Sequence, residues 1–312
     1  MTRAFLFPGQ GSQKVGMGAE LATNHPVAQQ VFDEVDEALG MNLSQIMFDG
    51  PDDALMLTEN AQPAIMANSI ATLRLWLDRA GGPLAGHADC VAGHSLGEYT
   101  ALCAAGSLDL ATTARLLKLR GAAMQSAVPV GEGAMAALLG IGFEEAVTVT
   151  EQASTENSLC VAANHNAPGQ VVISGHREAV ERALPLAKEA GARKAMALPV
   201  SAPFHCPLMQ PAADRMAEAL ADVAINAPDV PLYANVTASA VNDGDAIRKL
   251  LVEQVTGMVR WRESITVMHD EGVDHFVEFG SKVLTPMVKR ITPEAATTSL
   301  VTADDIEAFS QG

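Results

Sequence analysis

The sequence predicts a mixed α/β fold in which a mostly parallel, doubly wound sheet forms the core and a smaller ferredoxin-like unit is inserted into it. Three observations carry this. Short apolar runs bounded by turn residues alternate with helical patterns at both ends of the chain, as strands joined by crossover helices do. A central stretch departs from that order and reads βαββαβ. The 312 residues exceed one average domain and 48% of them are hydrophobic, enough for a large core with a second, smaller unit attached.

In chain order, Ala4 to Phe7 is the first strand and ends at the Pro8-Gly9 turn. Val27, Val31, Val35 and Leu39 recur every four residues and so line one face of a helix. The apolar stretch from Pro63 to Ala80 reads as a second helix. Cys90 to Gly93 is the next strand, followed by helices beginning near Leu96 and near Asp109. From about Gly133 to Pro199 the order is strand Met135 to Leu139, helix Glu144 to Ala153, strands Leu159 to Ala163 and Gln170 to Ser174, helix Glu178 to Ala190 and strand Arg193 to Leu198. Leu232 to Val236, His275 to Phe279 and Thr298 to Val301 then resume the core sheet. The predicted organisation is a discontinuous core, 1–130 with 200–312, carrying an insertion at 131–199, with a ligand site expected in the cleft between them.

Twenty Lys and Arg against 37 Asp and Glu give a formal charge of −17. That field repels phosphate backbones, so neither nucleic acid nor an anionic membrane is an expected partner. No apolar run approaches the ~20 residues needed to cross a bilayer. The N-terminal apolar run reaches Pro8 after four residues, too short for a signal peptide, and a cytoplasmic location is the expectation. Cys90, Cys103, Cys160 and Cys206 form no C-x-x-C pair, so they are read as reduced thiols, not as a disulfide framework or zinc ligands.

The strongest chemical signal is Gly93-His94-Ser95-Leu96-Gly97, a G-x-S-x-G elbow placed where an apolar strand meets a helix. A sharp turn there lifts the serine hydroxyl clear of the sheet, and the new helix aims unpaired N–H groups at a developing oxyanion. The Leu96 N–H, directly after the nucleophile, is the natural first donor. A chance pentapeptide in a glycine-rich loop is the bland alternative, and the strand-to-helix context weighs against it.

A serine hydroxyl needs a base, so one of eight histidines should partner Ser95. His94 adjoins it, but neighbouring side chains at a tight turn diverge, which makes it a packing or hydrogen-bonding residue. His205 stands apart in Pro203-Phe204-His205-Cys206-Pro207, a proline-braced loop just after the insertion ends, where the cleft is expected. A rigid linker with an incidental histidine is the other reading of that loop. On the helix from Asp109, Arg120 shares a face with Thr113, Leu116, Leu117, Ala123 and Met124, opposite Arg115 and Lys118. Either its stem runs along the core to a solvated head, or its guanidinium sits in a pocket and grips a carboxylate with two parallel hydrogen bonds. The Pro8-Gly9-Gln10-Gly11-Ser12-Gln13 loop lacks the lysine and spacing of a P-loop. It is a tight turn or the source of a second oxyanion donor, with the Gln10 N–H as candidate.

These segments occur in order with others: Phe7 to Gln13, Gly93 to Glu98, Arg120-Gly121, Asn166-Ala167-Pro168-Gly169-Gln170-Val171-Val172-Ile173-Ser174-Gly175, Pro203-Phe204-His205, and Gln254 before Val259-Arg260-Trp261. With them the chain resembles, over nearly its whole length, the malonyl-CoA:acyl carrier protein transacylases of bacterial fatty-acid synthesis and, more distantly, polyketide synthase acyltransferase domains.

The resemblance implies an α/β hydrolase-like core with a ferredoxin-like insertion. It also implies an activity: malonyl passes from malonyl-CoA to the phosphopantetheine thiol of acyl carrier protein by a ping-pong route through a malonyl-Ser95 ester, and coenzyme A leaves in the first half. In that scheme His205 is base and then acid, Arg120 binds the malonyl carboxylate, and Gln10 and Leu96 form the oxyanion hole. Gln254 matches a glutamine near the histidine and is expected, with Arg120 and Phe204, among the substrate-binding residues; a backbone carbonyl near it stands in place of an acidic triad member. Phe204 matches the malonyl-selective form of its motif. No resident cofactor or metal is implied, because malonyl-CoA is substrate and phosphopantetheine belongs to the partner. Such carriers are acidic, so transient docking is expected on Lys282, Lys289 and Arg290, with Lys118 and Arg193 as further candidates; a monomer is the default. An acyltransferase of a polyketide or malonate pathway, an acyl-thioester hydrolase using the same elbow, and a noncatalytic binding module are the rival readings.

Overall fold

The computed structural model describes residues 2–200 and 202–310. Its strands, in chain order, are β1 (Arg3–Phe7), β2 (Cys90–Gly93), β3 (Gly133–Leu139), β4 (Cys160–Ala167), β5 (Gln170–His176), β6 (Lys194–Ala197), β7 (Leu232–Ala234), β8 (Ser239–Val241), β9 (His275–Phe279) and β10 (Ala296–Leu300). They form two sheets. The larger has the order β10-β9-β1-β2-β7-β8 and is parallel except at β8, which turns back along β7.

Both faces of this sheet are covered, which is why its strands read as continuous apolar runs. Along β1 the side chains alternate between two cores. Phe5 and Phe7 join one apolar cluster with Val91, Val277, Phe279 and Trp76, while Ala4 and Leu6 join another with Ala92, Trp261 and Phe276.

The smaller sheet has the order β4-β5-β3-β6 and is antiparallel throughout. Numbered within the unit this is 2-3-1-4, the ferredoxin-like arrangement. Helices Phe143–Ala153 and Arg177–Glu189 pack on one face through Ala146, Val149, Ala179, Val180 and Ala183. From its other face Met135, Ala163 and Val172 enter the large core cluster, so the two sheets share apolar contacts.

Beyond shifts of one or two residues at the ends of strands such as β3, β5, β6 and β10, four elements differ from the sequence expectations. Helix Thr58–Ala80 starts five residues before Pro63 and holds that proline inside it. Its many buried side chains outweigh the interior proline, because helices in proteins are held chiefly by packing. β7 ends at Ala234 and not Val236, because Asn235 turns its N–H to the Glu98 carboxylate. β4 continues to Ala167 through two register irregularities. β8 was not anticipated: it is a three-residue edge strand with exposed Ser239 and Ala240, too short and too polar to signal itself.

The elbow glycines are fixed by backbone crowding. A Cβ on Gly93 would lie 1.8 Å from the Gly97 carbonyl oxygen, and one on Gly97 would lie 2.2 Å from that of Phe7. Gly9 is equally confined, since its Cβ would fall 2.7 Å from the His94 carbonyl oxygen. The loop after β1 and the turn after β2 therefore lie backbone against backbone. Gly97→Ala is expected to destabilise the protein by about 2–4 kcal/mol, because the obstructing atoms are main chain and cannot swing aside. Thermal unfolding checks this, and a midpoint within one degree of the parent would contradict it.

Candidate active site

The parallel sheet brings three strand ends together. Gly93 closes β2, Phe7 sits opposite it in β1, and Asn235 follows β7 on the other side. Ligand sites of open parallel sheets form at such carboxyl ends. Ser95, directly after β2, adopts φ 54° and ψ −111° at the start of helix Leu96–Ala104, a strained geometry for a residue with a Cβ.

Ser95 Oγ lies 2.7 Å from His205 Nε2. On the far side of the imidazole, Nδ1 lies 2.9 Å from the main-chain oxygen of Gln254, which must accept from it, so the ring presents an unprotonated Nε2 to the hydroxyl. His205 itself has φ 57° and is 4% exposed. No carboxylate touches the imidazole among the described residues.

Arg120 is 1% exposed, so the alternative of a solvated head does not apply. Its Nη1 donates to Gln62 Oε1 (2.8 Å), and Nη2 donates to Gln254 Oε1 (2.8 Å) and Ser95 Oγ (3.1 Å). Nε has no partner among the described residues. The helix carrying it, Leu110–Ser126, can approach this closely because Gly121 faces the backbone of Thr58 and Glu59. Tyr99 lies beneath the guanidinium, with its ring centroid 5.7 Å from Cζ.

The turn's N–H groups have distinct destinations. Gly97 and Glu98 donate to the carbonyls of His94 and Ser95, and Ser95 donates to Asn235 Oδ1 at 2.7 Å. Leu96 N–H has no hydrogen-bond partner among the described residues. Gln10 is half-buried on the loop facing the elbow, and its side-chain amide reaches Thr58 Oγ1 at 3.5 Å.

Ser95, His205, Arg120, Gln10 and Phe204 line one cavity of about 600 Å³. Met135, Asn164, Asn166 and Val172 line it from the smaller sheet, with Leu198 just past the end of β6, so it lies between the two sheets. Gln254, expected to bind substrate, instead stands fully buried behind this lining and acts on it through Arg120 and His205, whose guanidinium and imidazole it holds. His94 turns its Nε2 to Asn166 Oδ1 at 2.8 Å. Val283, Leu284 and Met287 form the lip.

Of the cations expected from the sequence to meet an acidic carrier, Lys282, Lys289 and Arg290 lie exposed on the lip segment. Lys289 Nζ donates to the Ala295 carbonyl (2.6 Å), and Arg290 donates to Pro168 O and Gln170 Oε1. Lys118 instead pairs with Glu59 at 3.3 Å, and Arg193 is exposed beside Gly140.

Three residues at the site escaped the sequence reading as functional positions: Gln62, Asn235 and Glu98. Glu98 offered a signal, since it is an acid within the apolar start of a helix, one turn after Ser95. Gln62 before Pro63 and Asn235 after a strand offered none.

Burial drives the His205 pKa down to about 3, with the Arg120 charge adding to the effect and the bond to the Gln254 carbonyl opposing it. The imidazole therefore stays neutral, as a base must, well below the ordinary histidine range. Acylation of Ser95 by an uncharged ester such as p-nitrophenyl acetate should hold its rate down to about pH 5. A rate falling with a midpoint near 6.5 would show an unperturbed histidine.

The model of the acyl transferase domain family matches residues 4–298. The chain is 46% identical over 298 residues to the malonyl CoA-acyl carrier protein transacylase of Escherichia coli K12, covering 95% of each chain. It is 45% identical over 309 residues to that of Bacillus subtilis, covering 99% of this chain and 96% of the relative. Among solved structures, the acyl-carrier-protein-S-malonyltransferase of Bartonella henselae superposes with a TM-score of 0.97 at 50% identity, over 100% of this chain and 99% of that one. A malonyl-transacylase solved in complex with its type II PKS acyl-carrier protein superposes with a TM-score of 0.95 at 39% identity, over 100% and 99%. A serine elbow, its imidazole and a buried guanidinium at one cavity between these two sheets thus occur in a chain that belongs to the acyl transferase domain family, among its malonyl CoA-acyl carrier protein transacylases.

Proposed function

We propose that this chain transfers malonyl from malonyl-CoA to acyl carrier protein through an ester on Ser95. One observation carries the reading: the Ser95 hydroxyl lies within hydrogen-bond reach of a neutral imidazole and of a buried guanidinium at once. The imidazole supplies the base, and the guanidinium supplies a partner for the free carboxylate that distinguishes malonyl from acetyl.

In the first half-reaction Ser95 Oγ attacks the thioester carbonyl as its proton passes to His205 Nε2. The carbonyl oxygen becomes an oxyanion held by the N–H groups of Leu96 and Gln10, each contributing about 3 kcal/mol to barrier reduction. The C–S bond then breaks, and His205 returns the proton to the leaving coenzyme A sulfur. In the second half the phosphopantetheine thiol of the carrier gives its proton to His205 and attacks the ester; Ser95 leaves and recovers the proton. No resident cofactor enters the scheme. Phe204, on the cavity wall, limits the space at the malonyl methylene.

The acidic carrier docks transiently on the lip segment bearing Lys282, Lys289 and Arg290, where local cations offset the net charge of −17. The smaller sheet, 131–199, is an insertion in a discontinuous core and supplies one wall of the cavity. We place the protein in the cytoplasm as a monomer; no helix among the described residues is long and apolar enough to cross a membrane.

Incubation with malonyl-CoA should add one malonyl mass to the peptide containing Ser95, and added holo-carrier should remove it onto its thiol. No adduct would favour a binding module. An adduct lost to water as fast as to carrier would favour a hydrolase.

A further inference from the structure

We propose that Glu98, which has no part in the scheme above, is a positioning residue that sets both the geometry and the charge of the Arg120 clamp through Gln254. The inference rests on Arg120 as partner of the malonyl carboxylate. Glu98 is fully buried one helical turn after Ser95. Its Oε2 accepts from Asn235 N–H at 2.9 Å and from Gln254 Nε2 at 3.0 Å, and its Oε1 has no partner among the described residues.

These bonds fix the amide of Gln254. Nε2 faces two acceptors, Glu98 and the Ser95 carbonyl (2.9 Å), so Oε1 is left facing Arg120. The main-chain carbonyl of the same residue holds His205. Through Asn235, whose side chain accepts from Ser95 N–H and donates to the Gly93 carbonyl at 2.7 Å, the same carboxylate also steadies the elbow. One buried acid thus stands behind the guanidinium, the imidazole and the nucleophile.

The charges around Glu98 are few. Arg120 faces it from helix Leu110–Ser126, and Tyr99 lies beside it on its own helix; His205 and His94 complete the titratable groups at the site. Burial pushes Glu98 up to about 7, with the Gln254 and Asn235 bonds and the Arg120 charge holding it back. Above about pH 7, without substrate, its carboxylate is the countercharge of Arg120. When a malonyl carboxylate takes the guanidinium, a second negative charge is disfavoured and Glu98 takes up a proton. Below pH 7 that proton is already in place; above it, binding must draw one from solvent, so the affinity for malonyl-CoA falls as pH rises.

The test is the KM for malonyl-CoA between pH 6 and 9, with inhibition by free coenzyme A as the control for phosphate ionisation. The parent should show KM rising three- to tenfold over this range. Glu98→Gln keeps an oxygen for both donors but removes the charge, so its KM should be flat and close to the parent's low-pH value, with kcat within about fivefold. Glu98→Ala removes the acceptor and should lower kcat at least tenfold further. A Glu98→Gln enzyme that keeps the parent's pH dependence overturns the proposal even if Glu98→Ala fails to fold. A parent that does not transfer malonyl overturns the reading of Arg120 instead.

Discussion

Ser95→Ala is expected to abolish the malonyl-enzyme and to lower transfer by about 10⁴-fold or more, the loss seen when a nucleophile acting with its base is removed. The reason lies in the geometry. The hydroxyl is the atom on which the base at 2.7 Å, the guanidinium at 3.1 Å and the elbow all converge. His205→Ala should lose nearly as much, because a serine hydroxyl without its proton acceptor is a poor nucleophile at neutral pH. The two groups work on one proton, so Ser95→Ala/His205→Ala should be little worse than either alone. Single-turnover labelling with radioactive malonyl-CoA measures the chemistry apart from carrier binding. A Ser95→Ala protein within tenfold of the parent would remove Ser95 from the mechanism, and a double variant equal to the product of the single losses would separate the two residues.

Arg120→Ala is expected to change which acyl group is used. Its kcat/KM for malonyl-CoA should fall by about 10³-fold, since the malonyl carboxylate would enter a buried site with no countercharge. Acetyl-CoA should fall far less, because acetyl has no carboxylate for the guanidinium to match and loses only the support it gives Ser95 Oγ and Gln254. Arg120→Lys should recover only part of the malonyl rate: an ammonium cannot span Gln62, Gln254 and Ser95 as the planar fork does. Removing the guanidinium also lifts a charge that depresses His205, so the acid limb of acylation by an uncharged ester should move to higher pH. Equal losses for malonyl-CoA and acetyl-CoA would make Arg120 a structural support of the elbow and not a carboxylate clamp.

Much of the fold was legible because its signals are local. β1, β2 and β9 announce themselves as apolar runs, since helices cover both faces of the sheet they form. The βαββαβ order of the smaller unit follows from periodicity switching between two and 3.6. The start of helix Thr58–Ala80 was misjudged because Pro63 looks like a first-turn residue, and only tertiary packing tells the chain to continue through it. β8 was illegible because three residues, two of them exposed, carry no apolar signal. The end of β7 was illegible for a reason closer to that of the helix: it depends on Asn235 binding Glu98, a residue 137 positions away.

By itself the sequence determined the strand-to-helix elbow at Ser95, the proline-braced loop of His205 and the candidacy of Arg120, because each rests on local backbone chemistry or on helical spacing. Only the tertiary structure decided that Arg120 is buried and not solvated, and that the carbonyl of Gln254 orients the imidazole while its side chain holds the guanidinium. It alone brought Glu98, Asn235 and Gln62 into the same network. Hydrogen bonds between residues 49 to 137 positions apart leave no periodicity in a chain; they exist once strand ends meet at the edge of a sheet and water is excluded between them.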